Sequence, residues 1–207
     1  MRTVTSGIAI VMLATTATAD FTYNFYNLTT NGPPDIGSQL RMVVSEPASG
    51  FVDFTFYNDV GTESSITEVY FDDGTLFLLH FPHTQSAGVS FTNTGTGSPA
   101  NLPGGEAIGF AATSGWVADT GGGGPGPGIN NSGEWLTIHF ELFGGLTIAD
   151  TIAAIASGEL RVGLHVISID GGDSDSYVNE GMIPVPGAAL LGVLGLGIAG
   201  WVKRRMA

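Results

Sequence analysis

The chain has 207 residues, 43% of them apolar, no cysteine and a formal net charge of −13. The missing cysteines exclude a disulfide scaffold, a zinc-thiolate site and a cysteine nucleophile. Only Arg41 and Arg161 are basic between residues 20 and 182, against all 19 acidic residues, and such a surface repels nucleic acid.

The N-terminus carries Arg2, a short apolar run from Ile8 to Ala14, and then Ala17-Thr18-Ala19. Charge, apolar core and a small-x-small site in that order predict a secretory signal peptide over residues 1–19. Signal peptidase would cut between Ala19 and Asp20, after passage through the Sec translocon.

Residues 20–169 read as one all-β domain, an antiparallel sandwich or jelly roll with a single short helix. "FVDFTFYN" (Phe51–Asn58) alternates, with Val52, Phe54 and Phe56 on one face and Asp53, Thr55 and Tyr57 on the other. "EWLTIHFEL" repeats this with Leu136, Ile138, Phe140 and Leu142 inward and Trp135, Thr137, His139 and Glu141 outward. "ELRVGLHVISI" puts Leu160, Val162, Leu164 and Val166 inward, with Arg161, Gly163, His165 and Ile167 outward. Further strands are expected at Phe21–Tyr26, Gln39–Ser45, Ile66–Phe71, Leu76–His80, Val89–Thr92 and Ala107–Ala112. Turn signals such as Asn31-Gly32-Pro33-Pro34 and Pro103-Gly104-Gly105 separate them.

"DTGGGGPGPGINNSG" (Asp119–Gly133) reads as a mobile loop without regular structure, since glycine is costly to order and proline lacks a donor. One helix is expected after Thr147, with Asp150 completing a capping box, Ile148, Ile152 and Ile155 as the apolar stripe, and Gly158 as the stop.

Asp170, Asp173, Asp175 and Glu180, with Asn179, gather hard oxygen ligands in a Gly-rich stretch and make a candidate Ca²⁺ site. Their spacing does not fit an EF-hand. The other reading of residues 170–182 is an acidic stalk in solvent. Asp72-Asp73-Gly74 is a hairpin turn and a second candidate for Ca²⁺.

The C-terminus holds two prolines, an uncharged run from Gly187 to Val202, and Lys203-Arg204-Arg205. As a helix that run is about 24 Å long, just under the roughly 30 Å of a bilayer core. The basic residues beyond it place that end in the cytoplasm.

This ending resembles the PEP-CTERM sorting signal of Gram-negative bacteria: a proline motif, a glycine-rich apolar helix and an Arg-rich stub. Ile183-Pro184-Val185-Pro186 occupies the place of the family's V-P-E-P motif, with Val185 where Glu is commonest. The resemblance implies that an exosortase, a membrane protease or transpeptidase, cleaves near this motif and removes the apolar helix with its basic tail from a precursor tethered in the inner membrane. "FTFYNDVGTESSITEVYFDDGTL", "GEWLTIHFEL" and "LRVGLHVISIDGGDSDSYVNE" also look like the bodies of proteins that bear this tail. The resemblance implies a protein of the cell surface or exopolysaccharide matrix, structural or adhesive in role, and transfers no catalytic residue.

The remaining chemistry is sparse. His80 and His83 flank Pro82 and lack a third ligand. His139 and His165 face outward and would meet only if their strands are neighbours. "ATSGW" (Ala112–Trp116) is the nearest thing to a nucleophile turn, and there is no G-x-S-x-G elbow. The chain reads as a non-enzyme, with a secreted hydrolase as the remote alternative. Trp116, Trp135, Tyr57 and Tyr70 are expected at outward or loop positions, where flat aromatics bind sugar. A carbohydrate- or Ca²⁺-binding module is therefore the alternative to a purely structural role.

Overall fold

The computed structural model describes residues 20–180, apart from 33, 60, 74–75, 81–82, 95–96, 114–116 and 123. Ala17, Ala19, Ile183 to Pro186 and Lys203 to Arg205 lie outside the described residues. Among the described residues no helix is long and apolar enough to cross a membrane.

The described residues form eleven strands in order: β1 (Phe21–Asn27), β2 (Leu40–Ser45), β3 (Phe51–Asn58), β4 (Ser65–Asp73), β5 (Phe77–His80), β6 (Thr84–Gln85), β7 (Thr92–Thr94), β8 (Val117–Asp119), β9 (Trp135–Leu142), β10 (Leu160–Ile169) and β11 (Asp173–Asn179). Among the described residues the one α-helix, α1 (Ile148–Ser157), lies between β9 and β10. All the pairings are antiparallel, in the order β5-β9-β3-β2-β1-β11-β10-β4-β8-β7, with β6 also on β9.

The sheet turns a corner at β1. Phe21 to Asn24 pair with β2, whereas Phe25 to Asn27 pair with β11. The two halves thus curl to face each other, and their inner faces share one core. The rings of Phe54 on β3 and Phe71 on β4 meet edge-on at 5.2 Å, and Phe71 meets Phe140 of β9 at 4.9 Å. Each such pair contributes about 0.5–1.5 kcal/mol beyond its buried area. The inward residues expected on β3, β9 and β10 are all buried, because period-two alternation was the correct reading of those strands.

Helix α1 keeps its predicted limits. Thr147 and Asp150 form the capping box, and Gly158 ends the helix at φ 79°. The buried face is Thr151, Ala154 and Ile155, with Ile152 packed at its margin, so the stripe is narrower and more polar than three isoleucines suggest.

Residues 97–112 form a cover on the outer side of the second half of the sheet. There Leu102, Phe110, Tyr70, Val117 and Val178 make a second, smaller core. Arg161 fastens this cover: Nη1 donates to Ile108 O at 2.7 Å, Nη2 to Gly109 O at 2.6 Å, and the guanidinium also pairs with Asp72.

The cover explains three corrections. The strand expected at Ala107–Ala112 is a 3-10 turn (Gly105–Ile108) between Gly104 and Gly109, both with positive φ. Tyr70, expected outward and free, is fully buried beneath the cover. The stalk expected at 170–182 is largely β11, a strand between β1 and β10 whose Tyr177 enters the main core and Val178 the smaller one. With both faces covered, polar residues of β11 are buried by hydrogen bonding instead of standing in solvent.

Two smaller corrections concern loops. Of the strand expected at Val89–Thr92, only Thr92 belongs to a strand, β7. The glycine-rich segment 119–133 is tied down: Ile129 is buried and exchanges two backbone hydrogen bonds with Ile66, at 3.0 and 3.1 Å.

Candidate functional site

The outer face of β2, β3, β9 and β6 gathers outward residues in cross-strand rows. Neighbouring strands stand about 4.8 Å apart, and residues two apart on one strand share a face. In the first row Arg41 pairs with Tyr57, and Tyr57 with Trp135. The Arg41 guanidinium lies 4.0 Å from the centre of the Tyr57 ring, and its Nε donates to Asp59 Oδ2 at 3.2 Å. Val43, Thr55, Thr137 and Thr84 make the second row. The hydroxyls of Thr55 and Thr137 are hydrogen-bonded at 2.8 Å.

Asp53 pairs with His139 in the third row. Asp53 Oδ1 lies 2.7 Å from His139 Nδ1, and His139 Nε2 lies 3.2 Å from Thr84 Oγ1. With the Nδ1 proton donated to the carboxylate, Nε2 is left to accept from the Thr84 hydroxyl. Arg41, Tyr57, Trp135, Asp53 and His139 are each half-buried, so their stems are packed while their outer edges meet solvent. From the Tyr57–Trp135 row to the Asp53–His139 row is four residues, about 13 Å along the strands.

A second polar row crosses the outer face of the other half. His165 pairs with Glu68, and Glu68 with Asp119. His165 Nδ1 lies 2.5 Å from Glu68 Oε2. Glu68, Asp119 and His165 line a small pocket of about 180 Å³ with Thr67 and Thr120. Burial, together with the nearby carboxylates of Glu68 and Asp119, pushes the Tyr70 phenol far above its ordinary range. Its hydroxyl donates to Pro99 O at 3.0 Å.

The four carboxylates expected around Ca²⁺ do not form one site. Asp170 and Asp173 are exposed beside a turn, and Glu180 follows β11 at its far end, about 23 Å along from Asp173. Asp175 is buried and accepts from Asn27 Nδ2 at 3.0 Å, Thr29 Oγ1 at 2.8 Å and the Asn31 backbone at 2.7 Å. Asp72 is taken by Arg161 and by the Ala111 backbone at 3.2 Å. Among the described residues no three His, Asp or Glu side chains stand close enough together to hold a metal ion.

His139 and His165 do not approach, because β9 and β10 belong to opposite halves of the sheet. Trp116 and Ser114 lie outside the described residues. The alternation identified Asp53, Tyr57, Trp135 and His139 as outward, but not that β3 and β9 are neighbours. That pairing creates both the aromatic row and the Asp53–His139 contact, and no local signal encodes it.

No known protein family, curated protein or solved structure matches the chain.

Proposed function

We propose that this is an exported surface protein that adheres to polysaccharide through the outer face of β2, β3 and β9. The observation that carries the reading is the Tyr57–Trp135 cross-strand pair, extended by Arg41 stacked on Tyr57. Two half-buried rings held side by side present flat apolar surface at little entropic cost, which suits the C–H faces of pyranose rings. The Thr55, Thr137, Asp53 and His139 groups supply hydroxyl, carboxylate and imidazole partners for sugar hydroxyls further along the same face.

Export is supported by residues 1–19, which have the order of a signal peptide, and by the PEP-CTERM-like tail from Ile183. Cleavage by exosortase would release the sandwich-like domain into the matrix that the face binds. With two basic residues against 19 acidic ones in residues 20–182, the ligand is an uncharged or amine-bearing polymer rather than a polyanion.

Affinity electrophoresis of the full chain through gels containing neutral, cationic or anionic polysaccharide tests this. Retardation by a neutral or cationic polymer, lost in Trp135→Ala and Tyr57→Ala, is expected. Equal mobility in every gel, or retardation that survives both substitutions, overturns the reading.

A further inference from the structure

Thr84, His139 and Asp53 come from three adjacent strands, β6, β9 and β3, and are joined in one line of hydrogen bonds. This line has the connectivity of a hydroxyl nucleophile, a base and an orienting acid. Thr84 is exposed, so its hydroxyl is reachable, while Asp53 and His139 are half-buried and held by their strands. Thr137, expected outward and directly across from Thr84 on β9, is buried, and its hydroxyl is bonded to that of Thr55. Only one proton is used within that pair, so the other O–H is available to donate.

We propose that Thr84, His139 and Asp53 form an acyl-transfer centre that hydrolyses carboxylic esters, the class of acyl groups carried on sugar hydroxyls. In the first half Thr84 Oγ1 attacks the ester carbonyl while His139 Nε2 takes the hydroxyl proton. The bond from the acyl carbon to the leaving oxygen breaks, and His139 returns the proton to that oxygen, releasing the alcohol. In the second half water attacks the Thr84 ester and gives its proton to His139. Thr84 leaves, recovers the proton and frees the carboxylic acid. The net change is ester plus water to acid plus alcohol. Asp53 holds the ring in the tautomer that leaves Nε2 unprotonated and stabilises the imidazolium that forms. The Thr55–Thr137 pair donates one hydroxyl toward the oxyanion.

The choice of sugar esters rests on the polysaccharide reading, whereas the chemistry does not. A soluble aryl acetate therefore tests the centre by itself, on the full chain purified in detergent. Turnover above the buffer rate is expected, with a burst and an acetyl adduct on the peptide containing Thr84 by mass spectrometry. His139→Ala should lower turnover about 10²–10⁴-fold. Thr84→Val should abolish both turnover and adduct, and Thr84→Ser should restore them, with melting curves confirming that each variant is folded. No turnover above buffer, or turnover that survives Thr84→Val, overturns the proposal. Aryl ester turnover by a chain that no polysaccharide gel retards would leave the centre standing and overturn the polysaccharide reading alone.

Discussion

Leu102 occupies the space that a side chain at Gly163 would need. A Cβ on Gly163 would stand 2.7 Å from Leu102 Cδ2 and 3.1 Å from Phe110 Cζ. The glycine in the middle of β10 thus lets the cover of residues 97–112 lie flat on the sheet. Gly163→Ala is expected to destabilise by about 1–3 kcal/mol through overpacking. Leu102→Ala should cost about 2–5 kcal/mol by leaving a cavity. In urea unfolding the double variant should lose less than the sum, because the new methyl fills part of that cavity. Additive losses would show that the two residues do not share this space.

Asp175 closes the corner at which β1 passes from one half of the sheet to the other. Its carboxylate accepts from Asn27, Thr29 and Asn31, and Thr29 Oγ1 in turn accepts from the Ser176 backbone at 2.9 Å. Asp175→Ala removes the shared acceptor of the half-buried Asn27 and Thr29 and the exposed Asn31, and should cost about 1–3 kcal/mol. Asp175→Asn should not rescue it fully, since an amide nitrogen faces donors. Hydrogen exchange of the Asn31 amide should speed up in Asp175→Ala and much less in Asp175→Asn, whose Oδ1 can still accept from Asn31 and Thr29 while its Nδ2 faces Asn27. Unchanged protection there would show that Asp175 does not hold the corner.

The contrast between β3 and β11 explains how much of this fold is legible in the chain. In β3 one face meets the core and the other meets solvent, so Phe54 alternates with Asp53 and Thr55, and the strand can be read residue by residue. In β11 both faces are buried, Tyr177 in the main core and Val178 beneath the cover, and Asp175 and Ser176 just before them are buried too. Alternation disappears there, and the acidic composition points to a stalk. Tyr70 reads as outward for the same reason, because the cover that buries it comes from residues some thirty positions away along the chain. Of the candidate site, Asp53, Tyr57, Trp135 and His139 could be read as outward, whereas Thr84 on the two-residue β6 and the strand order that joins them could not.

Gly128 and Gly126 separate packing from composition in the glycine-rich segment. A Cβ at Gly128 would lie 2.2 Å from Ser65 Oγ and 2.4 Å from Ile66 O, whereas one at Gly126 meets nothing within 4 Å. Gly128→Ala should push Ile129 away from Ile66 and destabilise by about 1–3 kcal/mol. Gly126→Ala should stay within about 0.5 kcal/mol of the parent. Equal denaturation midpoints for the two variants would contradict the tied-down loop.

Asp150 links the start of α1 to pH. Hydrogen bonds from the Thr147 hydroxyl and the Thr147 backbone hold its carboxyl below the usual aspartate value. A carboxyl lowered in the folded state stabilises fully above its unfolded value near 4, and that contribution disappears as pH falls through the native value. NMR titration should place the Asp150 midpoint below that of a model peptide. Asp150→Asn should remove this part of the acid dependence, with the amides of the first helical turn losing exchange protection at neutral pH. A midpoint at or above the peptide value would refute the capping account.

The last described strand ends close to the proline motif proposed as a sorting signal. The Glu180 N–H donates to Asn24 O at 2.8 Å, and only Gly181 and Met182 separate Glu180 from Ile183. With β11 paired up to Asn179, the chain has almost no spacer between the last strand and the motif. If exosortase acts near Ile183-Pro184-Val185-Pro186, it works close against the domain rather than at the end of a stalk. Intact mass of the protein from its own host should give a chain beginning near Asp20 and ending near Pro186. Removal of Lys203, Arg204 and Arg205 would also leave the mature form more acidic by three charges, seen as a lower isoelectric point. Lengthening the spacer after Glu180 with Gly and Ser should speed processing in a pulse-chase, because it relieves crowding at the membrane face. A mature surface form that still carries Lys203-Arg204-Arg205 would overturn the sorting assignment, and unchanged processing with the longer spacer would overturn the crowding argument alone.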